Sequence, residues 1–149
     1  MIPRELFTDT HETYRDAARR FIAAHITPNH DDWEREGQVS RMAWRLAGEH
    51  GFLCGSVPEE YGGPGADFLY GAIFLEELSK AGATGPGFHL HSEIVAPYIC
   101  RYGSDAQKQR WLPDMVTGGR ISAIAMTEPG AGSDLQNIKT HARWEGDHY

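Results

Sequence analysis

The sequence predicts a mainly α-helical chain, a bundle of four or five helices followed by the first strands of a β unit. Three observations lead there. Apolar residues recur at helical spacing from Asp9 to Thr117, Gly- and Pro-rich breaks separate these recurrences, and after Arg120 the period drops to two. Helices that precede strands, instead of alternating with them, point to an all-α domain over residues 1–119. Residues 120–149 then read as the incomplete start of a separate β domain.

The first helix is expected from Asp9 to about Ile26. Asp9 followed by Glu12 supplies an acidic N-cap, and Tyr14, Ala17, Ala18, Phe21 and His25 share one stripe. Thr27-Pro28 should end it, because proline biases its predecessor away from the helical region, with Asp31 to Gly37 as connector and solvated acidic face. A second helix, Arg41 to His50, takes Ser40 as its cap and turns Met42, Leu46 and Ala47 inward, while Gly51 suits a left-handed position after it. Five glycines and prolines in the eleven residues from Val57 to Asp67 exclude regular structure. Asp67 then caps a third helix, Phe68 to Lys80, whose apolar residues lie almost all round and predict the most buried helix. A fourth run, Phe88 to Tyr102, is kinked or shortened by Pro97. Ser104 and Gln107 form a capping box for a fifth helix, which Gly118-Gly119 terminates. Beyond it, Ile121 to Thr127 and Lys139 to Tyr149 alternate as strands do, the latter around a Glu145-Gly146-Asp147 turn.

Composition narrows the function classes. Fourteen Lys+Arg against 21 Asp+Glu leave a net charge of −7, which argues against wrapping nucleic acid or anionic lipid. Hydrophobic residues at 40% suffice for a core, and Trp33, Trp44 and Trp111 read as packing area. Cys54 and Cys100 sit in no CxxC or Cys-His cluster, so neither a disulfide framework nor structural zinc is indicated. No apolar run is long enough to insert in a membrane, and the N-terminus has no apolar leader core. A cytoplasmic protein is the expectation, and a mitochondrial matrix protein stripped of its transit peptide would look the same. His89 and His91 could be read as a metal pair, but no third ligand type clusters nearby and packing roles fit them better.

One segment carries chemistry. Thr127-Glu128-Pro129-Gly130-Ala131-Gly132-Ser133-Asp134 follows a strand-like run and offers backbone N–H groups and two hydroxyls with no bulky side chain in the way. It is not a P-loop, which needs G-x-x-x-x-G-K, nor the dinucleotide fingerprint, which needs a glycine where Leu135 stands. On the residues alone, the favoured reading is that Gly130 and Gly132 simply make a tight connection, since loops of this kind are common.

The run Ala125 to Leu135, followed by Ile138-Lys139-Thr140, resembles the flavin-binding signature of the acyl-CoA dehydrogenases. Pro58-Glu59-Glu60-Tyr61-Gly62-Gly63, Phe74-Leu75-Glu76-Glu77-Leu78 and Tyr102-Gly103-Ser104 with Gln107-Lys108 agree with that family in order and spacing. Gly85-Pro86-Gly87-Phe88 and His91-Ser92-x-Ile94-Val95 are most similar to its long-chain branch. The resemblance implies FAD as cofactor and α,β-dehydrogenation of a fatty acyl-CoA, with a glutamate as base and flavin N5 as hydride acceptor. It places Ile124, Ala125, Met126 and Thr127 at the flavin ring, and Gly132 and Ser133 near the cofactor pyrophosphate, with Ser133 also near the substrate's CoA arm. Thr127 and Ser133 suit this because a hydroxyl both donates and accepts. Phe88 and Ile94 would flank the acyl chain. The family's catalytic glutamate belongs to a later helical domain, so no catalytic residue is assigned here, and Glu128 reads as loop architecture. An electron-transfer flavoprotein as acceptor and a homotetramer are further implications. An acyl-CoA oxidase or flavin monooxygenase-like relative, or a non-catalytic helical scaffold, are the alternatives.

Overall fold

The computed structural model describes residues 6–149; the part of the expected 1–119 domain before residue 6 lies outside them. Six α-helices are formed among the described residues: α1 (Asp9–Phe21), α2 (His30–Glu36), α3 (Arg41–Glu49), α4 (Phe68–Lys80), α5 (Ala96–Tyr102) and α6 (Asp105–Val116). The chain is mainly helical, as the sequence predicts. Ser40 caps α3, Asp67 accepts from the Leu69 N–H to cap α4, and Ser104 and Gln107 close the capping box of α6.

The first helical boundary differs from expectation at both ends. Thr8, not Asp9, is the N-cap of α1, and its N–H donates to His11 Nδ1 at 3.1 Å. At the other end Pro28 does not stop the chain: a π-helical turn, Ile22–Ile26, and a 3-10 turn, Thr27–Asn29, lead into α2, which occupies the expected connector. The same device recurs at Pro97, where a π turn, Leu90–Val95, precedes α5. In each case the proline stands in the first turn of a new helical segment, where its missing N–H has no intrahelical carbonyl to serve, and the wider π turn precedes it.

Burial follows packing more closely than composition. In α3 the buried residues are Ala43, Trp44 and Ala47, while Met42, expected inward, is 59% exposed. Residues 43 and 47 are one turn apart and face the core; position 42 is rotated off that stripe. In α4, Ile73, Phe74 and Leu78 are buried but Phe68 is 66% exposed, so its apolar sequence does not mean burial all round. The core runs through a line of rings: Phe21 to Phe52 at 4.8 Å, Phe52 stacked on Phe74 at 4.9 Å, Phe74 stacked on Phe88 at 5.9 Å, and Phe88 edge-on to Trp44 at 4.8 Å.

Two further contacts tie the bundle. Between α1 and α4, Arg15 bonds Glu76 and Glu77, each at 2.8 Å, and Arg19 Nε donates to Glu77 at 2.7 Å. Between α3 and the end of α6 the backbones nearly touch. A Cβ on Gly118 would lie 2.1 Å from the Trp44 carbonyl oxygen, and φ at Gly118 is +69°, so glycine is required there twice over.

The expected strands are not formed among the described residues. Ile121–Thr127 and Lys139–Tyr149 carry no ladder, and the single bridge pairs Glu128 with Ala131. Alternation states which side chains share a face, but a strand exists only where a neighbour pairs its N–H and C=O groups. The turn at 145–148 does form, closed by Glu145 N–H to the His148 carbonyl at 2.8 Å.

Candidate cofactor loop

The chain leaves α6 through Gly118 and is caught again at once. Ser122 N–H donates to His91 Nδ1 at 3.2 Å, and the Ser122 hydroxyl lies 2.9 Å from the same nitrogen. On its other side His91 Nε2 meets the Met115 carbonyl at 3.1 Å. His91 therefore bridges the end of α6 to the first residues of the loop. Its complete burial lowers its pKa, against the Met115 carbonyl, which favours the charged ring. Both of its nitrogens are engaged in this way, and among the described residues no group of three or more metal-ligating side chains is found.

From there the predicted flavin contacts follow in sequence on one open segment. Ile124 is half-buried, and Ala125, Met126 and Thr127 are exposed. Next comes a tight turn, in which Glu128 and Ala131 exchange both backbone hydrogen bonds at 3.1 Å. Gly132 and Ser133 emerge from it exposed, while Ala131 is buried.

Glu128 holds the loop shut. Its carboxylate accepts the N–H groups of Lys139 at 2.9 Å and Thr140 at 2.8 Å, and also the Thr140 hydroxyl. The Thr140 hydroxyl first, then the two backbone donors, hold this carboxyl below its ordinary range. A carboxylate whose lone pairs are committed to a clasp is a poor proton acceptor, which agrees with an architectural role. Neither Ser122 nor Thr140 was singled out by sequence as an anchor; their significance lies in residues 31 and 12 positions away, and no local pattern reports such pairs.

Gly130 and Gly132 both stand in open surroundings. Neither Gly130 nor Gly132 has a positive φ, and a Cβ at either would meet nothing within 4 Å. No backbone strain or steric contact within this chain demands glycine at these positions, although Gly130 stands within the Glu128–Ala131 turn and Gly132 just after it. What their missing side chains leave is room for a group to approach the backbone closely.

Phe88 and Ile94 line two different cavities, both bordered by Glu93. Phe88 lines an interior cleft with Tyr14, Phe52, Phe74 and His89, whose free space of about 10 Å³ holds about one water. Ile94 lines an outer groove of about 260 Å³ with Pro97, Tyr98 and Arg101. Burial raises the pKa of Glu93. His89 Nδ1 is buried without a hydrogen-bond partner.

Residues 8–119 match the acyl-CoA dehydrogenase N-terminal domain. The long-chain specific acyl-CoA dehydrogenase of mitochondria from Sus scrofa is 46% identical over 143 residues, which are 96% of this chain and 33% of that protein. Isovaleryl-CoA dehydrogenase from Solanum tuberosum is 36% identical over 145 residues, 95% of this chain and 35% of that one. Among solved structures, acyl-CoA dehydrogenase from Geobacillus kaustophilus superposes with a TM-score of 0.90 at 49% identity, over 97% of this chain and 38% of its own. Acyl-CoA dehydrogenase from Bacillus anthracis, complexed with FAD, gives 0.74 at 31% identity, over 93% of this chain and 24% of its own. The chain belongs to the acyl-CoA dehydrogenase family. It spans about a third of the length of the curated relatives it matches.

Proposed function

We propose that this chain supplies the flavin-contacting loop and the N-terminal helical domain of an FAD-dependent acyl-CoA dehydrogenase acting on long-chain fatty acyl-CoA. The observation that carries the reading is the pair of glycines, Gly130 and Gly132, which the chain's own backbone does not require and which leave its N–H groups open to a ligand. The bound cofactor would accept the substrate's β-hydride. Around it, Ile124, Ala125, Met126 and Thr127 would offer the flavin ring a backbone edge and one hydroxyl, while Gly132 and Ser133 would meet the pyrophosphate, Ser133 also reaching the CoA arm. No catalytic base is assigned within these residues. Glu128 serves to keep the loop closed behind the contacts.

The higher identity to the long-chain enzyme than to the isovaleryl enzyme supports a long acyl chain. The same reading includes a helical domain through residue 119, the start of a β domain over 120–149, homotetrameric assembly, and an electron-transferring flavoprotein as electron acceptor. No helix among the described residues is long and apolar enough to cross a membrane. Location in the mitochondrial matrix or the cytoplasm belongs to the proposal. The visible spectrum tests the chemistry: flavin bands are expected when FAD is added to this chain, whereas bleaching by long-chain acyl-CoA is expected only where the chain is joined to the family's glutamate-bearing helical domain, since no base is assigned here. Failure to take up added FAD would sink the reading, and rapid reoxidation by oxygen would replace it with an acyl-CoA oxidase.

A further inference from the structure

His91 is fully buried and meets a different structural element on each side. Its Nδ1 faces an N–H donor, that of Ser122, and so must carry a lone pair. Its Nε2 faces the Met115 carbonyl at 3.1 Å and so must carry the proton, with Cys54 Sγ at 3.4 Å beside it. The ring is thus defined as the neutral Nε2–H tautomer, with Trp44 packed edge-on at 5.3 Å. The Ser122 anchor stands two residues before Ile124, and the Glu128 clasp stands one residue after Thr127. The intervening segment is slung between them, with its first end hung from the helical body by one imidazole.

We propose that His91 is the positioning residue of this segment: as the Nε2–H tautomer it takes the Ser122 N–H and so determines where Ile124 to Thr127 stand against the helices. Its consequence for flavin affinity rests on the cofactor reading above. Small displacements matter at such a site, because backbone contacts to a rigid ring tolerate only a few tenths of an ångström.

Side-chain amides separate the two nitrogens. His91→Asn places an acceptor oxygen near the Nδ1 position and keeps the Ser122 tether, whereas His91→Gln places an amide near Nε2, keeps the Met115 contact and loses the tether. Two readouts follow in the intact protein: hydrogen exchange of the Ser122 amide, and the dissociation constant for FAD from flavin fluorescence. His91→Asn is expected to leave both within about threefold of the parent. His91→Gln should speed exchange and weaken FAD by about tenfold or more, the range seen for lost positioning contacts. Both variants disturb the same core site, so a merely structural histidine would move the two together. Equal effects of Asn and Gln, or a Ser122 amide unprotected in the parent, would overturn the proposal. Should either His91 variant fail to fold, Ser122→Pro removes the donor with the histidine intact and should reproduce the tenfold loss, while Ser122→Ala keeps the donor and should not; equal affinities would reject the tether. A parent that protects Ser122 yet binds no FAD would defeat the flavin reading and leave the tether standing.

Discussion

Glu77 and Glu128 are both held below the ordinary carboxylate range, yet they are held in opposite ways. Burial alone would raise Glu77, but hydrogen bonds from Arg19, Lys80 and Arg15 outweigh it and bring its pKa to about 2. Glu128, by contrast, is clasped at the surface by the Thr140 hydroxyl and two backbone N–H groups. Glu77 joins two helices whose contact buries a core, and loss of its charge strands cations beside it. Glu128 joins two parts of one loop, in which Ala131 is the buried apolar residue. The same functional group therefore stabilises the packed helices in one region and shapes an exposed loop in the other. The difference lies in what is desolvated around it.

This contrast can be broken from its strong end. Phe74→Ala should cost the most, about 4 kcal/mol in urea-induced unfolding, because Phe74 stacks on both Phe52 and Phe88 and its removal opens the middle of the ring line. Glu77→Gln comes next, at about 3 kcal/mol by the same measurement, since Arg15 is buried and loses a charged partner. A loss below about 1 kcal/mol would mean that the network behaves as a solvated surface pair. The sign with pH follows: Glu77 titrates lower folded than unfolded, so its contribution is full above its ordinary 4.5 and disappears as pH falls toward 2. His91, lowered by burial, adds a loss of stability that begins as pH falls below 6.5. Unfolding midpoints taken across that range should flatten at the acid end in Glu77→Gln and not in the parent.

At the weak end the readout changes. Gly132→Val should leave the unfolding free energy within about 0.5 kcal/mol, because nothing of this chain lies within 4 Å of a Cβ there, yet weaken FAD about tenfold if the cofactor approaches that backbone. An unaltered affinity would remove the observation on which the cofactor proposal stands. Glu128→Gln is expected to have the smallest effect on global stability, within about 0.5 kcal/mol, while amide exchange at Lys139 and Thr140 accelerates. Unchanged exchange there would show that the clasp does not hold the loop.

Helix ends were the most legible feature, because caps are local chemistry: Ser40, Asp67 and Ser104 each serve as read, their partners lying two or three residues away. The same locality misled at Pro28, where the residue identity signals a stop but the π turn before it lets the helical path continue. Met42 and Phe68 show a second limit. Apolar character was read correctly, but which apolar positions face inward depends on where neighbouring helices lie, and that is not in the local spacing.

By itself the sequence determined the mainly helical class, the order of the helices, most of their caps, and the loop whose spelling identifies the family, all of which depend on contacts within a few residues. Tertiary structure alone decided that the alternating segments after Arg120 are not paired as strands here, that Glu128 is a clasp, that His91 bridges the helices and the loop, and that Arg15 and Glu77 meet. Each of these depends on partners 11 to 62 residues apart, or on the absence of a pairing edge, and only the packed chain brings such groups within hydrogen-bonding reach.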